Sequence, residues 1–175
     1  DTNFSSNVDD LVAAYTYCCE TYRSPAILIG HSLGGAAVLQ AAHQMPNVKT
    51  VVTMGAPADP EHVKKNFGLH LDEIESKGMA EVTLAGRSFT IKKQFLDDLE
   101  DASMKEYTRG LKRALLVMHS PLDETVGIEN AERIFIRARH PKSFISLDQS
   151  NHLMTEDADS RYAGTVVAAW AAKYI

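Results

Sequence analysis

Four short, unbroken apolar runs set the rhythm of this chain: AILIG (26–30), TVVTMG (50–55), ALLVMH (114–119) and FISL (144–147). Runs of this length without polar alternation predict strands buried on both faces, as in a parallel sheet. Helical patterns lie between and around them. Residues 33–44 are rich in Ala, Leu and Val and lack Pro. Residues 128–138 put Ile128, Ala131, Ile134 and Phe135 on one face, and 160–174 bury Val166, Val167 and Trp170. A first helix is predicted over 8–22, with Asn7 as N-cap, Asp9 and Asp10 in the first turn, and Pro25 beyond its end. Asp59-Pro60 reads as an N-cap followed by Pro at the first helical position, opening a helix over HVKKNF. Residues 81–91 change period. Val82, Leu84, Phe89 and Ile91 alternate around Ala85-Gly86-Arg87, which predicts a hairpin, and a polar helix follows over about 92–106. The class is therefore α/β, a mainly parallel sheet with flanking helices. Residues 1–175 read as a single domain, with a β-hairpin/helix insertion at about 57–111 that interrupts the rhythm.

Composition narrows the function classes. The chain has 18 Lys and Arg against 23 Asp and Glu, a net charge of −5, so a globally basic nucleic-acid binder is excluded. No apolar run approaches the ~18 residues of a membrane span, and no basic-plus-apolar leader opens the chain. The two cysteines, Cys18 and Cys19, are adjacent and ill-suited to bridge each other, so the expected location is the reducing cytoplasm. The histidines are scattered, without metal-ligand spacing, and no dinucleotide or Walker loop is present, so no metal and no cofactor is expected.

The strongest chemical signal is Gly30-His31-Ser32-Leu33-Gly34. It fits G-x-S-x-G, with an apolar strand directly before it and a small-residue helix directly after, the context of a nucleophile elbow. Ser32 is expected on a very tight turn with positive φ, where side chains at 30 or 34 would collide with their surroundings. The N–H of Leu33, at the helix N-terminus, is then a natural oxyanion donor. A serine hydroxyl needs a base, and the base an orienting acid, in the chain order Ser, Asp or Glu, His. Asp123 follows the ALLVMH strand and His152 follows FISL, and the stretch between them holds one helix and one strand. Glu124 is the rival for the acid, and Asp148 stands too near the end of its strand. Among the other histidines, His31 is expected to point away from Ser32, as packing or pocket lining. His119 reads as a hydrogen-bonded structural residue, His140 as a turn, and His43, His62 and His70 as helix positions.

At these residues the chain resembles the α/β-hydrolases, and more narrowly the hydrolase portion of osmotically inducible protein C-type fusion proteins. The stretches that carry the resemblance are FSSNVDDLVAA, ILIGHSLGGAAVL, GAPADPEHV, FLDDL, LKRALLVMHSPLDETVGIENA, ARHPKSFISLD and NHL. It implies Ser32 as nucleophile, Asp123 as acid and His152 as base, and a cap role for the insertion. Family members have about four strands before the first helix seen here, and those strands carry a second oxyanion donor. Neither is found in this sequence, so only the later half of the sheet is expected.

The resulting expectation is a serine hydrolase that cleaves carboxylic esters through an acyl-enzyme, with a small-molecule ester as its substrate. Phe89, Ile91, Phe95 and Leu96 are candidates for an apolar acyl pocket, though such residues also build ordinary core. The alternative is a non-catalytic or incomplete fragment acting as an interaction domain. With only the later strands present, AILIG becomes an unprotected edge. That leads to one of three expectations: a homodimer pairing near 26–30, residues before Asp1, or a first helix that covers the edge.

Overall fold

The computed structural model describes residues 3–59, 67–68, 70–84, 87–101 and 104–175. The first helix, α1, spans Phe4–Thr21, four residues earlier than the sequence pattern predicts. Its N-cap is Asn3, not Asn7. Asn3 Oδ1 accepts the Ser6 N–H at 2.7 Å, and Ser6 Oγ accepts the Asn3 N–H at 2.9 Å. This reciprocal pair is a capping box with Ser in the place usually held by Glu or Gln. Asn7 is already inside the helix, its N–H donating to the Asn3 carbonyl at 3.1 Å.

Strand β1 (Ile27–His31) leads into helix α2 (Leu33–Ala41), which ends in a 3-10 turn (Ala42–Gln44), and strand β2 (Thr50–Met54) follows. The middle of the chain forms α3 (Leu71–Lys77), β3 (Met79–Leu84), β4 (Arg87–Lys92), α4 (Lys93–Asp101) and α5 (Met104–Arg109). The chain ends with β5 (Ala114–His119), α6 (Glu129–Arg137), β6 (Lys142–Ser146) and α7 (Asp157–Ala171). The polar helix expected over 92–106 is thus two helices. Residues 62–66 of the helix expected over HVKKNF lie outside the described residues, Phe67 is buried in the core, and Asp59 binds Arg137 through paired contacts of 2.8 and 2.9 Å.

The main sheet has the order β1-β2-β5-β6, parallel throughout, with Ile29 level with Val52 and Val52 level with Leu116. Central strands β2 and β5 are buried along their whole length, as their apolar runs predict. Their side chains alternate between two cores. Val51, Leu115 and Val117 join the side carrying α1, α2 and α6, whereas Val52, Leu116 and Met118 join Val167 and Ala163 of α7. Full burial of one such leucine is worth about 2 kcal/mol. AILIG departs from its prediction of two buried faces: Ile29 is 53% exposed. Among the described residues β1 pairs with a strand on one side only, and Ile29 is its one exposed residue.

β3 and β4 pair antiparallel as a separate two-stranded sheet, close to the predicted hairpin. This segment packs on the helix layer, α4 against α1 and α5 against α2 and α6. Ile91 and Leu96 are buried in the core there, with Phe95 packed against it, so these three act as core. The Phe89 side chain lies outside the described residues.

The capping geometry predicts that Asn3→Ala lowers unfolding free energy by about 1 kcal/mol in chemical denaturation, while Asn7→Ala changes it by less than about 0.5 kcal/mol. The opposite ranking would return the cap to Asn7.

Candidate active site

The site forms where the carboxyl ends of β1, β2 and β5 meet the loop after β6. Ser32 sits between β1 and α2 at φ 54° and ψ −131°. An L-residue at such an angle costs about 1–3 kcal/mol and persists only when its surroundings hold it. The Ser32 N–H donates to the Met54 carbonyl at 2.9 Å, and the Ser32 carbonyl accepts the Gly35 N–H at 2.8 Å. Gly30 has no room for a side chain, because a Cβ there would overlap the backbone of Gly34 and Gly35. Gly34 differs from expectation: a Cβ there would meet nothing within 4 Å. It lies on the outer side of the first turn, facing a groove of about 350 Å³ lined by Asn7, Asp10, Leu11 and Leu33. No side chain caps α2, so the Leu33 amide keeps the free N–H of a helix's first turn.

Asp123 stands in the turn after β5. Its Oδ1 accepts the N–H groups of Thr125 and Val126 at 2.9 and 2.8 Å, which fixes the carboxylate plane. Its Oδ2 lies 2.7 Å from His152 Nδ1, and His152 Nε2 lies 3.0 Å from Ser32 Oγ. A carboxylate only accepts, so His152 carries its proton on Nδ1 and offers the Nε2 lone pair to the serine hydroxyl. Side-chain exposure is 8% for His152 and 2% for Asp123. Burial pushes the Asp123 carboxyl up. The His152 hydrogen bond, the Val126 and Thr125 N–H groups and the His152 charge outweigh it and hold the carboxyl below its ordinary value. The rivals Glu124 and Asp148 are both exposed.

His119 is fully buried and donates from Nε2 to the Val126 carbonyl at 2.7 Å, the structural role expected of it, while also lying 3.5 Å from Asp123 Oδ2. His43 bonds the Tyr107 carbonyl at 2.8 Å, far from the site. His31 does not point away. Its ring centroid is 4.8 Å from that of His152, and its Nε2 is 2.7 Å from the His152 carbonyl oxygen.

Gly55, which sequence reasoning passed over as the end of a strand, lies directly beneath the pair. It has φ 54°, and a Cβ there would fall 3.1 Å from Asp123 Oδ2 and 3.4 Å from His152 Nδ1. The sequence signal is a glycine closing the strand run Thr50–Met54. Next to His152 a groove of about 400 Å³ is lined by Leu122, Glu124, Thr125, Asn151 and Leu153. Among the described residues no group of three His, Cys, Asp or Glu side chains is arranged to hold a metal ion, and no helix is long and apolar enough to cross a membrane.

A hydroxyl, an imidazole and a buried carboxylate in hydrogen-bonded series is the arrangement that acyl transfer at serine uses. The profile of the alpha/beta hydrolase family matches residues 1–172. The chain belongs to that family. The hydrolase is also similar to the esterase domain of a Rhodothermus marinus protein, at 50% identity and a TM-score of 0.84 over 99% of this chain and 70% of that one. It shares its fold with Est1E from Butyrivibrio proteoclasticus (15% identity, TM-score 0.72, 95% of this chain and 72% of that one). The same holds for mouse alpha/beta hydrolase domain-containing protein 10 (23% identity, TM-score 0.75, 99% and 71%). A comparison of the hydrolase with curated proteins found no match.

The depressed Asp123 carboxyl makes a prediction about acid stability. An unfolded-chain Asp titrates near ~3.9, so the stability that this carboxylate contributes is complete above that value and is lost as pH falls through the lower folded value. Asp123→Asn should therefore be less stable than wild type at neutral pH, and the gap should close on acidification below about pH 4 in denaturant melts. A gap that stays constant from neutral to acid pH would contradict the assignment.

Proposed function

We propose that this hydrolase cleaves carboxylic esters of small molecules by acyl transfer through Ser32. The observation that carries the reading is the continuous series Ser32 Oγ, His152, Asp123, with contacts of 3.0 and 2.7 Å. The Ser32 oxygen attacks the ester carbonyl while His152 Nε2 takes the hydroxyl proton. Asp123 holds the imidazole tautomer and stabilises the imidazolium that forms. The oxyanion of the tetrahedral intermediate is met by the Leu33 N–H at the start of α2. Collapse expels the alcohol, which receives the proton from His152. Water, deprotonated by the same Nε2, then releases the acid and restores Ser32. Ester and water are the only reactants that this sequence consumes. The likeness to the Rhodothermus marinus esterase domain at 50% identity supports the choice of esters.

A second reading, a domain that acts by pairing rather than by catalysis, is favoured by the uncovered Ile29 on the outer strand β1. A fluorophosphonate probe separates the two. Covalent labelling of wild type that is lost in Ser32→Ala supports the enzyme, and folded protein that takes no label supports the pairing domain.

Ser32→Ala and His152→Ala should each lower hydrolysis of p-nitrophenyl acetate by at least ~10³-fold, with Asp123→Asn losing comparably or less. A His152→Ala enzyme close to wild type would rule out His152 as base. Gly55→Ala should stay folded yet lose at least ~10-fold in kcat, because the added methyl presses on the Asp123–His152 contact. Unchanged kcat would show that the contact tolerates displacement.

A further inference from the structure

The residue before Ser32 has a second connection to the site. His31 is the last residue of β1, and its Nε2 lies 2.7 Å from the backbone oxygen of His152. A carbonyl oxygen only accepts, so His31 must carry its proton on Nε2 and donate it. The two imidazole rings lie against each other, centroids 4.8 Å apart and tilted by 44°. The contact closes a ring of interactions. Ser32 is joined to His31 by the peptide bond, His31 to the His152 main chain by this hydrogen bond, and the His152 side chain returns to Ser32 Oγ at 3.0 Å.

From this geometry we infer that His31 is a positioning residue for the base: its Nε2–H···O bond ties the loop after β6 to the strand that carries Ser32. The inference rests on the acyl-transfer reading above. The His152 side chain is otherwise aligned by Asp123, which belongs to the turn after β5. That bond orients the ring, but it does not fix the distance from the loop to β1. Within the loop, Asn151 Oδ1 accepts the Leu153 and Thr155 N–H groups at 3.1 and 3.2 Å, and the loop's first residue, Leu147, donates its N–H to the His119 carbonyl at 2.9 Å, which ties it to β5 rather than to β1. The bond from His31 supplies the missing reference, because it measures the loop against the residue next to the nucleophile. Reacting groups displaced by about 1 Å lose up to ~10²-fold in rate.

The electrostatics agree with the geometry. Burial holds the His31 ring below the usual imidazole range, assisted by the neighbouring His152 and opposed by the carbonyl bond and by Asp123. A neutral ring keeps the single Nε2 proton that the bond requires. It also adds no positive charge beside His152 when that residue becomes imidazolium.

The test compares His31→Phe, which keeps a ring and removes the donor, with His31→Gln, whose amide nitrogen can restore it. The substrate is p-nitrophenyl acetate, and kcat is counted per fluorophosphonate-titrated Ser32. The Phe variant should lose roughly 10- to 100-fold in kcat with KM changed less than about threefold, and the Gln variant should recover to within about fivefold of wild type. A Phe variant with wild-type kcat, or a Gln variant as poor as Phe, overturns the role. Imidazole ¹⁵N NMR of the wild-type protein decides independently of any variant's folding. It should find His31 as the Nε2–H tautomer with that proton hydrogen-bonded, and an Nδ1–H tautomer overturns the proposal. Wild type that neither hydrolyses the ester nor takes the probe would instead sink the acyl-transfer reading, while the NMR result would still judge the His31 bond.

Discussion

The candidate site is built around one serine held at a backbone angle that L-residues avoid. Ser32 stands at φ 54° because β1 and α2 must reverse direction within a single residue. Three features impose that turn. The Ser32 N–H is anchored to the Met54 carbonyl of β2. Gly30 leaves space for the returning backbone of Gly34 and Gly35, and Gly35 in turn lies against Ala56, so the helix sits close upon the sheet. The cost of the strained residue, on the order of 1–3 kcal/mol, is offset by burial of β2, β5 and the alanine-rich inner side of α2. The same turn aims the amide end of α2 at the space above Ser32 Oγ.

The second dependence is electrostatic. The Asp123 carboxylate is buried and the His152 ring beside it is largely covered, and a buried carboxylate is costly unless it is paired and hydrogen-bonded. Asp123 meets that condition with two backbone N–H donors on one oxygen and His152 on the other. Space around the pair is rationed as tightly as its charges. Gly55 lies under it with no Cβ, His119 Nε2 lies 3.5 Å from the same Asp123 Oδ2 that meets His152, and His31 faces the imidazole. The carboxylate is thus fixed in plane, the imidazole is fixed in tautomer, and the loop behind them is tied to β1.

Much of this was legible in the sequence, for physical reasons. Uninterrupted apolar runs mark β2 and β5 because central strands of a parallel sheet lose both faces to the core. Ser32, Asp123 and His152 were legible because strand-end positions in a fixed chain order converge at one edge of such a sheet. The misses also have physical causes. The α1 cap is Asn3 rather than Asn7 because Ser6 completes a reciprocal pair of hydrogen bonds with Asn3. AILIG looks as apolar as its neighbours, yet its burial depends on what lies beside it, and Ile29 is exposed. Gly34 shares a motif with Gly30, but only Gly30 lies against returning backbone. Gly55 and His31 gain their importance from contacts with Asp123 and His152, far along the chain, and no local pattern records such contacts.

The central claim is that Ser32 carries the acyl group. Rapid acid quench during turnover of p-nitrophenyl acetate, followed by intact mass and peptide mapping, observes that group directly. The account predicts a transient acetyl adduct on the peptide that contains Ser32, absent in Ser32→Ala. Burst release of nitrophenol with no adduct on that peptide, or an adduct on another residue that forms at the rate of turnover, would contradict it.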